Sequence, residues 1–388
     1  MAVKILSVDD EMDLELLLTQ YFRRKIRNGE YEFTFAHNGL EALTLLLKNK
    51  DYDIILSDIN MPEMDGLTLL TKINEMQNPA LKCIMVSAYG DMGNIRQAMN
   101  NGAFDFATKP IDLDDLSVTI EKAIEQIKYI REMQKNSEQL ESLKGDLAIA
   151  REIQHAILPR IFPPFPENER QLDIAASMEA AKDVGGDFYD FFRIDDEHIG
   201  FVIADVSGKG IPAAIFMAVS RTLMRATGIR GGSTSECMNY TNELLTKESV
   251  DCMFVTVFYG IYNIETGEIH YCNAGHNPPY ILKKNGTLET LQMSKDPMVG
   301  AVEGLTFHEE TMKLDAGDTL FMFTDGVTEA TNATFEEYGE SRLEATLKGC
   351  TGESCQEMIE TVTQNVKAFV GDAEQSDDIT MLVLKRKA

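Results

Sequence analysis

The sequence predicts a mixed protein in two parts: an α/β doubly wound domain first, then an α+β domain, joined by one long helix. Three observations carry this. Strand-like apolar runs alternate with amphipathic stretches over residues 1–122, the pattern of a parallel sheet. Residues 112–158 contain no proline and carry one apolar stripe at helical spacing. After Pro159 the pattern changes to long strand runs interrupted by paired helical blocks.

In chain order, the first part has apolar runs at 3–8, 33–36, 54–56, 83–86 and 104–107, with helical stretches such as 14–26 and 40–47 between them. Five βα units of this length make one doubly wound domain. The stripe of the long helix falls at 116, 120, 123, 127, 130, 133, 140, 143, 147, 150, 153 and 157, with Ser137 interrupting it. Mixed steps of three and four approximate a heptad with slips, and a solvated spacer would not need such a stripe. A coiled-coil linker over 113–158 that pairs two chains into a homodimer is therefore expected, and at 1.5 Å per residue it would span on the order of 70 Å. The string IFPPFPENE then breaks the chain, and the last domain is expected over 160–388. Its strand runs lie at 199–204, 253–262, 319–324 and 379–384, with a hairpin turn at Glu265-Thr266-Gly267 and helical blocks at 212–226 and 235–248.

The 388 residues fit two or three domains, and 36 basic against 63 acidic residues leave a net charge of −27. That balance argues against a nucleic-acid surface, which needs clustered Lys and Arg, and against docking on anionic lipid. No apolar run reaches the ~18 residues of a membrane span, and the first ten residues do not form a signal peptide. A cytoplasmic protein is expected. Cys83, Cys237, Cys252, Cys272, Cys350 and Cys355 form no CxxC pair and no zinc pattern, so reduced, mostly buried thiols are expected.

Chemistry concentrates in two sets of aspartates. In the first domain, Asp9 and Asp10 directly follow the first strand and Asp58 the third. The carboxyl ends of neighbouring parallel strands form the ligand crevice of such a sheet. Three carboxylates there repel one another unless a cation is present, and oxygen-only ligation suits Mg²⁺. Lys109, just after the fifth strand and before Pro110, can reach the same crevice, and Ser87 at the end of the fourth strand adds a hydroxyl donor. The strings VDDE, ILSDINMPEMDG, MVSAYG and GAFDFATKP resemble, in order, the flavodoxin-like receiver domain of bacterial response regulators, over residues 1–122. The resemblance implies Asp58 as phosphoacceptor, Asp10 binding Mg²⁺ directly, Asp9 through water and Asn60 by its carbonyl. It also implies Ser87 and Lys109 on the phosphoryl oxygens, Phe106 as the aromatic switch, a cis Lys109–Pro110 bond, and a sensor histidine kinase as partner.

The second set lies in KDVGGDFYDFF (Asp187, Asp190), IADVSGKG (Asp205), FTDGVTEA (Asp325) and SDDITMLVL (Asp377, Asp378). Several adjoin apolar strand runs, so a sheet edge could gather them. With only Lys182 and Lys209 as nearby bases, divalent ions would be needed to neutralise them. Carboxylate, carbonyl and water ligands select Mg²⁺ or Mn²⁺ over zinc, and two such ions support in-line phosphoryl displacement by water. With YCNAGHNPP at 271–279, these strings look like the SpoIIE/RsbU-type branch of the metal-dependent PPM (protein phosphatase 2C-like) serine/threonine phosphatases. That resemblance implies a β-sandwich flanked by helices and two or more Mn²⁺ or Mg²⁺ ions. Asp205 would bridge the metals with the Val206 carbonyl beside it, Asp325 and Asp377 would bind the other side, and Asp187 would hold water there. It prefers Asp377 to Asp378, which stays an alternative. Asp190 is either a helper or an exposed strand-end residue, and His276 either orders the site, donates a proton, or is structural. AREIQHAILP at 150–159 resembles the regulatory helix that precedes this domain in the family.

Two function classes follow. One is a phosphorylation-controlled response regulator that dephosphorylates phosphoserine or phosphothreonine on a partner, by resemblance a STAS-type anti-sigma-factor antagonist. The other is a catalytically silent adaptor that sequesters a sigma factor or anti-sigma partner; the four retained carboxylates Asp187, Asp205, Asp325 and Asp377 argue against it. A DNA-binding regulator is disfavoured by the charge and by the absence of a basic helix-turn-helix signature, and a kinase-type ATPase by the absence of GxxxxGK[ST].

Overall fold

Short apolar strands separated by helices bury both faces only when the helices cover a parallel sheet from two sides. In the computed structural model β1 (Val3–Val8), β2 (Tyr31–Ala36), β3 (Ile54–Asp58), β4 (Lys82–Ala88) and β5 (Asp105–Lys109) pair in the order β2-β1-β3-β4-β5, all parallel. The structure describes residues 2–88, 91–162, 164–168, 170–248, 252–294 and 296–387. The expected helix over 14–26 is broken into α1 (Met12–Tyr21) and α2 (Arg23–Arg27) at Phe22, whose backbone leaves the helical region while its buried ring packs on Tyr31 and Phe33. Then follow α3 (Gly39–Lys48), capped by Asn38, α4 (Gly66–Glu75), capped by Asp65, and α5 (Met92–Asn100), capped by Asp91.

The long helix is α6, one run of 45 residues over Leu113–Ile157. The chain divides inside it into two units, Met1–Leu143 and Lys144–Ala388. In the first unit, Leu116, Ile120, Ala123 and Ile127 of α6 enter the core with Ile5, Leu18 and Phe22. Arg131 of the same helix bonds Asp53 at 2.6 Å. The packed part of the helix thus extends past residue 122, the expected end of the domain. Beyond it much of the stripe is bare: Met133, Leu140, Leu143 and Ile153 are all more than half exposed in the single chain, and only toward its end does Ile157 pack on the core of the second unit.

The second unit is a sandwich of two five-stranded sheets. One has the order β13-β10-β9-β8-β7, built from β7 (Phe188–Arg193), β8 (His198–Val206), β9 (Val255–Asn263), β10 (Glu268–Ala274) and β13 (Glu310–Lys313). The other has the order β12-β11-β14-β15-β6, built from β6 (Leu172–Glu179), β11 (Tyr280–Leu282), β12 (Leu288–Thr290), β14 (Thr319–Phe323) and β15 (Ile379–Arg386). The strand pairs are antiparallel. Phe201, Phe258, Leu320 and Leu382 share the inter-sheet core. The helices α7 (Ile211–Gly228) and α8 (Thr234–Glu248) pack on the first sheet, and α9 (Gly339–Gly349) and α10 (Cys355–Val370) on the second. A Ser354–Glu357 capping box starts α10. Cys252 is exposed; the other five cysteines are buried, all as free thiols. Among the described residues no helix is long and apolar enough to cross a membrane.

Candidate functional site

The strand order of the first unit places the ends of β1, β3, β4 and β5 side by side, and so gathers the residues that follow or close them. Asp9 and Asp58 are buried, Asp10 exposed, and the three bring carboxylate oxygens within 4.8 Å of one another. Oxygens on opposite sides of a Mg²⁺ at about 2.1 Å lie about 4.2 Å apart, so this spacing fits one ion. Lys109 Nζ stands 2.7 Å from Asp58 Oδ2, 3.0 Å from Asp9 Oδ2 and 3.1 Å from Glu11 Oε1. Burial works against the ammonium, but its bonds to Asp58, Asp9 and Glu11 prevail and hold its pKa above the usual lysine range. Burial pushes Asp9 upward, against its bonds to Glu11 N–H and Lys109.

Ser87 is fully buried, and among the described residues its Oγ has no hydrogen-bond partner. Asn60 N–H approaches Asp58 Oδ1 at 3.3 Å, and Phe106 is half-buried against the core. The Lys109–Pro110 peptide is cis. Gly66 lets α4 pass over the acidic strand end: a Cβ there would lie 2.0 Å from the Asp58 carbonyl oxygen.

In the second unit, both sheets deliver aspartates to one edge. Asp205 is next to last in β8, opposite Thr256; Asp187 immediately precedes β7; Asp325 follows β14; Asp377 and Asp378 precede β15. Their mutual electrostatics is severe. Burial, then the charges of Asp205 and Asp378, push Asp187 well above the carboxylate range. Burial and Asp325 push Asp205 up to about 7, although Asp187 lies close enough to share a hydrogen bond with it. Burial and Asp377 raise Asp325. Among the described residues one cation answers them: Lys209 Nζ lies 2.7 Å from Asp377 Oδ2 and donates to the Ser376 carbonyl at 2.6 Å. These carboxylates are spread more widely than the first set and form no equally tight triplet among the described residues. Several mutually raised acids facing one lysine fit a pair of divalent ions better than one.

The adjacent aspartates divide the work. Asp378 Oδ1 accepts from Ala181 N–H at 2.8 Å, and Oδ2 from the N–H groups of Gly186 at 2.6 Å and Asp187 at 3.4 Å. Its carboxylate is a brace for the loop 181–187, whereas Asp377 faces Lys209. Gly326 brings the turn carrying Asp325 against this pair, where a Cβ would fall 1.9 Å from the Asp378 carbonyl oxygen. The Val206 carbonyl is met by the same loop, 3.0 Å from where a Gly186 Cβ would stand.

Asp190 is neither an exposed strand end nor at the acidic edge. It is fully buried in β7 and forms ion pairs with Arg221 at 2.8 Å and Arg225 at 2.7 Å, both on α7. His276 is buried, with Nδ1 3.0 Å from Thr256 Oγ1, the residue opposite Asp205. Burial lowers its pKa to about 4, so the ring is neutral at pH 7 and has no imidazolium proton to give.

Three contacts escaped the sequence reading. Thr324 Oγ1 donates to Asp187 Oδ2 at 2.7 Å. Lys209 was visible only as a nearby base, not as the partner of Asp377. Gln154 of α6 is buried, its Nε2 donating to the Gly185 carbonyl at 2.6 Å and its Oε1 accepting from Gly185 N–H at 3.0 Å. A glutamine at the end of an apolar stripe was the available signal.

Comparison with known proteins agrees with this layout. Residues 5–121 match the model of the response regulator receiver domain, and residues 195–387 that of stage II sporulation protein E (SpoIIE). Protein IcfG of Synechocystis sp. is 33% identical over 90% of this chain, and the chain spans 59% of its length. Phosphoserine phosphatase RsbU of Bacillus subtilis is 32% identical over 64% of this chain and 72% of its own. The SiaA-PP2C domain of Pseudomonas aeruginosa superposes with a TM-score of 0.55 at 18% identity, over 64% of this chain and 98% of that one, a likeness of fold.

Proposed function

We infer that this chain, which belongs to the SpoIIE phosphatase family and carries a response-regulator receiver domain, is a metal-dependent phosphoprotein phosphatase whose activity is set by phosphorylation of Asp58. The observation that carries the catalytic part is the edge where Asp187, Asp205, Asp325 and Asp377 meet with one lysine. Asp205, Asp325, Asp377 and the Val206 carbonyl would hold two or more Mn²⁺ or Mg²⁺ ions, with Asp187 orienting water. When bound, such ions supply Lewis acidity and neutralise charge during in-line phosphoryl transfer to water. Thr324 fixes the Asp187 carboxylate, Asp378 holds the loop beneath it, and Lys209 balances Asp377.

In the receiver, Asp10, Asp9 and the Asn60 carbonyl would hold Mg²⁺ beside Asp58, the phosphoacceptor. Ser87 and Lys109 would take the phosphoryl oxygens, and Phe106 would change position with them. The donor in this reading is a sensor histidine kinase. The substrate is a phosphoserine or phosphothreonine on a STAS-type anti-sigma-factor antagonist in the cytoplasm, and phosphoserine is the specificity for which RsbU is named. The bare stripe of α6 supports a homodimer through the linker helix. The test is Mn²⁺-dependent hydrolysis of p-nitrophenyl phosphate and of a phosphoserine peptide, with and without beryllofluoride. Turnover abolished by EDTA is expected; no turnover in either state overturns the reading.

Gln154 supplies a route for control, since it ties the regulatory helix to the loop carrying Asp187. Gln154→Ala removes two bonds and leaves the Gly185 backbone buried and unpaired, a loss of about 1–3 kcal/mol. The loop should then hold metal more weakly. The Mn²⁺ concentration for half-maximal turnover is expected to rise about tenfold, with a smaller fall in kcat at saturating Mn²⁺. An unchanged Mn²⁺ titration contradicts this role.

A further inference from the structure

Phe335 is the most exposed large apolar side chain among the described residues, at 90%. Its backbone stands at φ +60°, in the left-handed region that bulky side chains rarely adopt and glycine adopts freely. Neither property serves the stability of the fold. An aromatic ring in water contributes no burial, and a left-handed phenylalanine is strained.

The loop that shows this ring is firmly built. Thr331 and Glu337 bridge its base, and Phe335 N–H donates to the Asn332 carbonyl at 2.9 Å. The Asn332 side-chain oxygen accepts from Thr334 N–H at 3.0 Å, Thr334 Oγ1 at 2.7 Å and Glu336 N–H at 3.1 Å. Arg342 clamps the far side through Glu336 at 2.5 Å and through the Glu337 carbonyl at 3.0 Å. The ring is therefore held out, not left out.

The hairpin also belongs to the acidic edge. It leaves the turn of Asp325, where Glu329 N–H donates to the Asp325 carbonyl at 2.8 Å. Ser376, next to Asp377, reaches the Glu329 carbonyl at 3.4 Å. A cavity of about 290 Å³ opens at its base, lined by Ala330, Thr331, Val366, Val370, Ser376 and Ile379. A cavity thus opens beside the acidic edge, at the base of the hairpin that presents the ring.

We propose that Phe335 is a docking residue for the phosphoprotein substrate, receiving an aliphatic side chain of the segment that flanks the phosphoserine. The proposal rests on the phosphatase reading and names how that site selects its substrate. A rigid, exposed aromatic is the residue type that anchors protein interfaces at low entropic cost. The occupant is the substrate because the ring stands on the hairpin that leaves the turn of Asp325 and is tied through Ser376 to the segment carrying Asp377, two of the carboxylates at which a phosphoserine would be cleaved.

The test uses the full chain loaded with Mn²⁺, p-nitrophenyl phosphate, and phosphoserine peptides of Ser and Gly in which one Leu is moved along the positions on either side. The best Leu peptide is expected to exceed the peptide lacking Leu about tenfold in kcat/KM. Phe335→Gly suits the left-handed backbone and so spares the loop. It should flatten that profile through KM while turnover of p-nitrophenyl phosphate stays unchanged, and Phe335→Leu should restore part of the preference. A flat profile in the unaltered chain, or a preference that survives Phe335→Gly, overturns the docking role alone. Absence of p-nitrophenyl phosphate turnover overturns the phosphatase reading and this proposal with it.

Discussion

Asp205→Asn should lose phosphatase turnover by about 10³-fold or more while making the metal-free protein more stable. The two effects share a cause. Asp205 stands among Asp187, Asp325, Asp377 and Asp378, with burial as the largest penalty on its charge. Removing a carboxylate that would hold the metal ions would forfeit the several kcal/mol such ions supply to phosphoryl transfer. The same removal relieves repulsion when no ion is present.

The pH dependence has a definite sign. A carboxyl held at about 7 in the folded chain, against about 4 in the unfolded one, keeps its proton across that interval only when folded. Its contribution is favourable at low pH and is lost as pH rises through 7. In EDTA, the unaltered protein should therefore gain stability from this group between pH 8 and pH 5, against the usual trend for acids. Asp205→Asn should abolish that gain and raise the melting temperature at pH 8 by roughly 5–10 °C, corresponding to a few kcal/mol. Added Mn²⁺ should stabilise the unaltered chain far more than the variant. Calorimetry at the two pH values, with and without Mn²⁺, checks this; equal Mn²⁺ stabilisation of both proteins contradicts a ligand role for Asp205.

The first acidic set was legible because its geometry is local. Each of Asp9, Asp58, Ser87 and Lys109 lies at or just past the end of its own strand, and a parallel sheet brings those ends together whatever the loops do. Asp205 and Asp325 were legible for a related reason, since each adjoins an apolar strand. The rest depends on partners far away in sequence. Whether Asp377 or Asp378 turns inward is decided by the backbone N–H groups of the loop 181–187, which follows β6, the strand paired with β15. Asp190 looked like a strand-end residue because nothing in FYDFF announces Arg221 and Arg225, one helix later. The break at Phe22 was hidden for the same reason: the aromatic neighbours that hold its ring come from β2.

Asp58→Asn should reduce labelling by acetyl phosphate to background and leave phosphatase turnover indifferent to beryllofluoride. The substitution keeps the shape of a buried side chain at the end of β3 and removes its nucleophilic oxygen, so no acyl phosphate forms. The fold should tolerate it, because Lys109 keeps Asp9 at 3.0 Å and Glu11 at 3.1 Å as partners when Asp58 loses its charge. Lys109→Ala is the informative companion. Among the described residues it takes the one cation away from a cluster of four acids, so it should weaken phosphoryl retention while raising Mg²⁺ affinity, since a divalent ion then compensates Asp9, Asp10 and Asp58 in its place. The order of these outcomes separates an acceptor from an ornamental acid. If Asp58→Asn still labels at the level of the unaltered chain, the phosphoryl group resides elsewhere, and the buried hydroxyl of Ser87 and the ammonium of Lys109 need another explanation.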